Sequence, residues 1–206
     1  MKERPILFSA PMVQAILEGR KSQTRRVMNP QPTAHFTTDI DYWTSGKYSG
    51  ELGKEPLTSP YGQPGDRLWV RETWAYFGGE EYFYQKDRLA TFYRATWESE
   101  RAQHFPRAGL DYVPGDRWRP SIHMPRWASR ITLELTKVRV ERVNEISEAD
   151  VRAEGIQVVG YGDYPDQFSG KHLYQELWDK FNGEREGGKY AWAANPWVYV
   201  LEFKRL

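Results

Sequence analysis

Ile16-Leu17-Glu18-Gly19-Arg20-Lys21-Ser22-Gln23-Thr24-Arg25-Arg26 joins the end of a helix to the start of a strand and sets four cations and two hydroxyls in the junction. Upstream, Met12, Ala15 and Ile16 share one face at helical spacing, Pro11 suits a first helical position, and Gly19 supplies a left-handed stop. These signals predict a helix over Pro11 to Glu18. Before it, the apolar run Ile6-Leu7-Phe8 reads as a strand ending at Ser9. Downstream, Ser22 to Val27 reads as a strand leaving the helix. On a regular strand Lys21 and Thr24 would point to opposite faces, so a site shared by the two needs Lys21 in the connecting turn.

Further along, residues 28–64 are rich in Pro, Gly, Ser, Thr and Tyr without a sustained period, which predicts an insertion or a functional loop. Pro64-Gly65-Asp66-Arg67 is a turn, and Leu68 to Thr73 follows as a strand. The same tetrapeptide recurs at Pro114-Gly115-Asp116-Arg117 with unrelated flanks, so the two are similar turns in one domain. Tyr82 to Gln85 and Thr91 to Ala95 read as a hairpin. Ile131, Leu133 and Leu135, then Val138 and Val140, alternate on either side of Thr136-Lys137, which gives a long bent strand or a tight hairpin. Ser147 can cap a helix with Asp150 three residues on, Ile146 and Val151 can staple across the cap, and Gly155 ends it. Lys171 to Asn182 sets Leu173, Leu177, Trp178 and Phe181 on one face, and Trp197 to Phe203 forms a closing strand. The class is α+β, with short helices around a mostly antiparallel or mixed sheet.

Composition limits the partners. At 206 residues one domain spanning 1–206 is the economical reading, and 29 Lys and Arg against 28 Asp and Glu leave no global field to favour a long polyanion. Nine Trp in so short a chain must serve core, binding surface, or both. The absence of Cys excludes disulfides, thiolate nucleophiles and cysteine-ligated zinc. Polar residues interrupt the apolar runs of Met1 to Arg20, and nothing approaches a spanning run of about 18 to 20 apolar residues, so a cytoplasmic location without a membrane partner is expected. His35, His104, His123 and His172 show no paired ligand spacing, and no glycine-rich phosphate loop appears; neither metal nor cofactor is expected.

The run Ile16 to Lys21 with Thr24 and Arg25 resembles the signature of ASCH domains. Pro64-Gly65-Asp66 before a strand, Ile146-Ser147-Glu148, Ala153-Glu154-Gly155 and the closing strand Val198 to Phe203 resemble further parts of the same family. The likeness covers the first 27 residues, about 64–75, and most of 129–206. It leaves two insertions outside, about 28–62 and 76–120. The segment Trp118 to Trp127 is similar to a larger phage-associated branch. The resemblance implies a PUA-like mixed β-barrel with short flanking helices. It also implies kinship with the small bacterial amidohydrolases of N4-acetylcytidine, whose catalytic Lys, Thr and Glu fall by motif position on Lys21, Thr24 and Glu154. Candidate substrate-binding residues around them are Arg20, Arg25, Arg26, Trp69, Glu72, Trp74 and His123. The implied partner is a small acylated nucleoside, with RNA as the alternative ligand of a noncatalytic module or a ribonuclease.

The three residues make chemical sense together. Amide hydrolysis needs a nucleophile, a base for its proton and a donor to the departing amine. Lys21 can be that base only where burial or nearby cations depress its pKa below about 10.4. Glu154 breaks a local rule, since a carboxylate at a helix C-terminus opposes the dipole, and such violations often mark function. The negative helix end would favour its protonated form, suited to donating to a leaving group. Read from composition alone, the basic cluster is a solvated strand and the Glu a harmless surface residue.

Overall fold

Two adjacent strands form the spine of the molecule, the closing strand buried on both faces and its long neighbour on one. The computed structural model describes residues 1–35, 42–45, 48–51, 59–77, 90–99, 117–157 and 169–206. Its central elements are β1 (Glu3–Leu7), α1 (Ala10–Leu17), β2 (Gln23–Val27), β6 (Arg67–Arg71), β9 (Thr132–Arg142), α2 (Glu148–Ala153), α3 (Gly170–Asn182) and β10 (Trp197–Arg205). Five strands make one mixed sheet in the order β1-β6-β9-β10-β2. β1 runs parallel to β6, and the other neighbours are antiparallel.

β10 shows why the sequence settles there. Tyr199, Leu201 and Phe203 enter a core with Phe8, Val13, Ile16, Leu68 and Leu133 under α1. Val198 and Val200 enter a second core with Ile146, Val151, Tyr174 and Trp178 under α2 and α3. Burial on both faces explains the near-continuous apolar run of this strand. The alternation around Thr136-Lys137 resolves into one strand of 11 residues in which Thr136 is the extra residue, since Glu202 and Phe203 of the partner face Lys137 and Leu135. A bulge of this kind bends a strand without ending it.

The barrel expected from the family resemblance does not close. No backbone ladder joins the edge strands β1 and β2 among the described residues. They meet through side chains instead: Arg26 donates to the Leu7 carbonyl, and its guanidinium lies 5.0 Å from the Phe8 ring centre. The gap left between these edges becomes a cavity.

The residues 28–62, expected to lack a regular period, contain a small antiparallel sheet of β3 (Thr33–His35), β4 (Tyr42–Ser45) and β5 (Tyr48–Glu51). Strands of three or four residues are too short to show period two in sequence. β8 (Ala90–Tyr93) pairs with β7 (Trp74–Phe77), and the expected hairpin partner Tyr82 to Gln85 lies outside the described residues, as does Pro114 to Asp116. On α3 the buried stripe is Gly170, Tyr174 and Trp178, whereas Phe181 is 47% exposed. Leu177, Trp178 and Phe181 of this helix line the cavity, so one flank of its apolar face opens onto it. No helix among the described residues is long and apolar enough to cross a membrane.

Candidate active site

The turn after α1 is drawn tight by its own backbone. The amides of Arg20 and Lys21 both donate to the Ala15 carbonyl at 2.9 Å, and Gly19 takes φ +76°. Ser22 then donates to the Ala153 carbonyl at 2.9 Å, which lays Lys21 beside the end of α2. Gly155 makes this possible: it has φ +89°, and a Cβ there would stand 2.9 Å from Ala15 Cβ and 3.0 Å from Lys21 Cβ. A side chain is excluded on both counts.

Lys21 Nζ reaches Glu154 twice, donating to Oε2 at 2.6 Å and to the backbone carbonyl at 2.8 Å. The Lys21 side chain has no exposed surface and that of Glu154 only 4%. Burial pushes the ammonium below its ordinary pKa; Glu154 opposes the shift without cancelling it, and Arg26 and Arg25 add to it. The carboxylate at the helix end is thereby explained. Glu154 is the C-cap of α2, where the carbonyls attract a cation, and Lys21 serves both the carbonyl and the carboxylate.

The second oxygen of Glu154 belongs to Arg25, whose Nη1 lies 3.3 Å from Oε1. Arg25 is itself enclosed: Nη2 donates to Glu141 at 2.5 Å and pairs with Asp150 at 3.2 Å, and its guanidinium lies 5.8 Å from the Tyr174 ring centre. Arg139 ties Glu141 and Asp150 together from the outside at 3.0 and 2.8 Å. Burial works against the charge on Asp150, yet hydrogen bonds from Ser147 and the charge of Arg25 hold its carboxyl well below the usual range. Burial, with help from Glu154, drives the Tyr174 phenol well above its ordinary value.

This cluster forms one wall of a cavity of about 500 Å³. Thr24, Arg25, Arg26 and Glu154 line it, with Phe8, Ser9 and Tyr61 on one side and Tyr174, Trp178 and Phe181 on the other. Lys21 is not among the lining residues; it sits behind Glu154. Thr24 and Glu154 thus share the cavity although 130 residues separate them in sequence, and both are almost fully buried.

The other expected binding residues are elsewhere. Arg20 turns away to pair with Glu18 and to donate to the Gly155 carbonyl at 2.9 Å. Trp69 is buried with Arg71 and Arg126 over its ring, at 4.8 and 5.9 Å. Glu72 is buried and gripped by Arg130 through two hydrogen bonds of 2.9 and 3.0 Å, a structural fork. Trp74 packs edge-on against Trp127, and His123 is exposed in a one-turn helix over Ser121–His123. Their neighbours Thr73 and Ser121 reach the cavity instead. Sequence reasoning missed Tyr61, Tyr174 and Glu141. Tyr174 carried a legible signal, lying four residues before Trp178 on one helix face; Glu141 carried none beyond its place in an alternating strand.

Comparisons with protein-family models, with curated proteins and with solved structures returned no match.

What the geometry offers is a hydroxyl and a carboxylate on one cavity wall, with a buried amine of depressed pKa touching the carboxylate. That set can accept, hold and return a proton within a partly desolvated space.

Proposed function

We propose that the chain is an amidohydrolase that removes acyl groups from N4-acylated cytosine nucleosides. The observation that carries this reading is the buried Lys21–Glu154 pair in the wall that Thr24 also lines. The ASCH-like motifs that supply all three residues add the substrate class. In this reading Thr24 Oγ1 attacks the acyl carbon, and its proton passes through Glu154 to neutral Lys21 Nζ. Collapse breaks the carbon–N4 bond, and the same proton returns to N4, which leaves as the amino group of cytidine. The acyl-threonine ester is then cut by water, releasing a carboxylic acid and restoring the hydroxyl. The depressed pKa of Lys21 serves the first step by enlarging its neutral fraction.

A noncatalytic nucleotide-binding module is the second reading. It is favoured by the rings of Tyr61, Trp178 and Phe181 in the lining, which suit stacking on a base. One experiment separates the two. The protein is incubated with N4-acetylcytidine, and cytidine is followed by chromatography. Release that disappears in Thr24→Val supports the hydrolase; saturable binding with no release from acetyl-, butyryl- or benzoylcytidine supports the module.

A further inference from the structure

The charges around the cavity do not balance. Among the described residues its lining holds three guanidiniums, those of Arg25, Arg26 and Arg185, against the single carboxylate of Glu154. Arg25 is compensated several times over by Glu141, Asp150 and Glu154, and Glu154 is claimed in turn by Lys21. Arg26 and Arg185 are different. Neither pairs with a carboxylate among the described residues: Arg26 donates to the Leu7 carbonyl, and Arg185 to the Asn182 side chain at 2.8 Å. Arg26 Nε is buried without a hydrogen-bond partner among the described residues, on a side chain that lines the cavity. Arg185 is exposed at the rim, held over the Tyr190 ring at 5.3 Å, while the adjacent Glu186 is taken by Lys189 and Tyr190.

We infer that the ligand of this cavity carries a phosphate, making it a cytosine mononucleotide and not a neutral nucleoside, with Arg26 and Arg185 as the phosphate-binding residues. The inference rests on the proposed reading of the cavity as a cytosine site. Guanidinium and phosphate match in planar, charge-assisted hydrogen bonding, and Arg26 already lacks an acceptor for one donor. The surplus is local, as it must be in a chain of net charge +1. Two cations suit one phosphate group and offer no track for a strand.

Titration calorimetry with cytidine and cytidine 5′-monophosphate tests this without turnover, since both lack the acyl group. The monophosphate is expected to bind at least about tenfold more tightly, the increment of a charge-assisted contact. That advantage shrinks with added salt. It falls below about threefold in Arg185→Gln and in Arg26→Lys, and persists in Arg152→Gln, an exposed cation outside the lining. Equal affinities in the wild type, no binding of the monophosphate, or an advantage that both arginine variants leave untouched would overturn the inference. So would tighter binding of an unmodified single-stranded oligonucleotide, which would place the phosphate in a polymer. Loss of the inference and loss of the hydrolase reading are separable. Cytidine release with equal affinities sinks only the phosphate site; a monophosphate advantage without release sinks only the hydrolase.

Discussion

At the residue scale the pair Lys21–Glu154 is the most exacting feature of the chain. A lysine whose side chain has no exposed surface is tolerated because its ammonium finds a carboxylate and a carbonyl at one helix end. Lys21→Arg keeps the positive charge but cannot readily release a proton. It is expected to lower kcat for N4-acetylcytidine by about a hundredfold or more, with circular dichroism showing a retained fold. Wild-type activity in this variant would remove Lys21 as the base. The pH profile carries a sign. Because burial lowers the Lys21 pKa, kcat/KM should rise with pH, with a midpoint below the ordinary value of about 10.4. Stability follows the same group: the unfolded chain binds the extra proton, so folding gains as pH rises through the window between the lowered pKa and about 10.4. Asp150 acts at the other end. Its contribution is complete above a pH of about 4 and is lost as acid carries the solution toward its depressed folded value.

At the element scale, the short helix α2 positions the site through both of its ends. Ser147 accepts from the Asp150 amide at 3.1 Å, and the Asp150 side chain returns to the Ser147 amide at 3.2 Å. Ile146 and Val151 close the staple in one buried cluster. Ser147→Ala should cost about 1 kcal/mol in denaturant unfolding. The larger effect belongs to the C-terminal end. Gly155→Ala combines a left-handed φ with close approach to Ala15 and Lys21, so about 1–3 kcal/mol should be lost along with the seating of Lys21. Melting temperature and kcat should fall together, whereas Ser147→Ala should move stability more than turnover. A Gly155→Ala protein with wild-type stability would show that the turn can relax.

At the scale of the whole molecule, the sheet is held at its β6 side by Glu72 and Arg130 and at its β2 side by the charged cluster around Arg25. Only the latter reaches the cavity. Glu72→Ala removes a buried carboxylate from the exposed Arg130 guanidinium and should lower unfolding free energy by about 1–3 kcal/mol, the cost of losing charge-assisted hydrogen bonds while water and Thr96 still serve the arginine. Under conditions where the variant remains folded, its affinity for cytidine should match that of the wild type. Weakened binding by folded protein would return Glu72 to the ligand site.

Much of this was legible in the residues themselves. Gly19, Ser147, Asp150 and Gly155 act through neighbours three or four positions away, and the helices they bound appear where local chemistry places them. The alternation of residues 131–142 and the apolar run of 197–203 also announced the two central strands. What the sequence could not determine is which chemistry-bearing groups become compensated. Arg20, Arg25, Arg26, Trp69 and Trp74 look alike as candidates, yet pairing partners from distant strands close off some and leave others facing the cavity. Glu141 neutralises Arg25 from 116 residues away, and Arg130 takes Glu72 from 58. A charge is free or spent according to what the tertiary fold sets within about 4 Å of it, because Coulomb attraction and desolvation act through space and not along the chain.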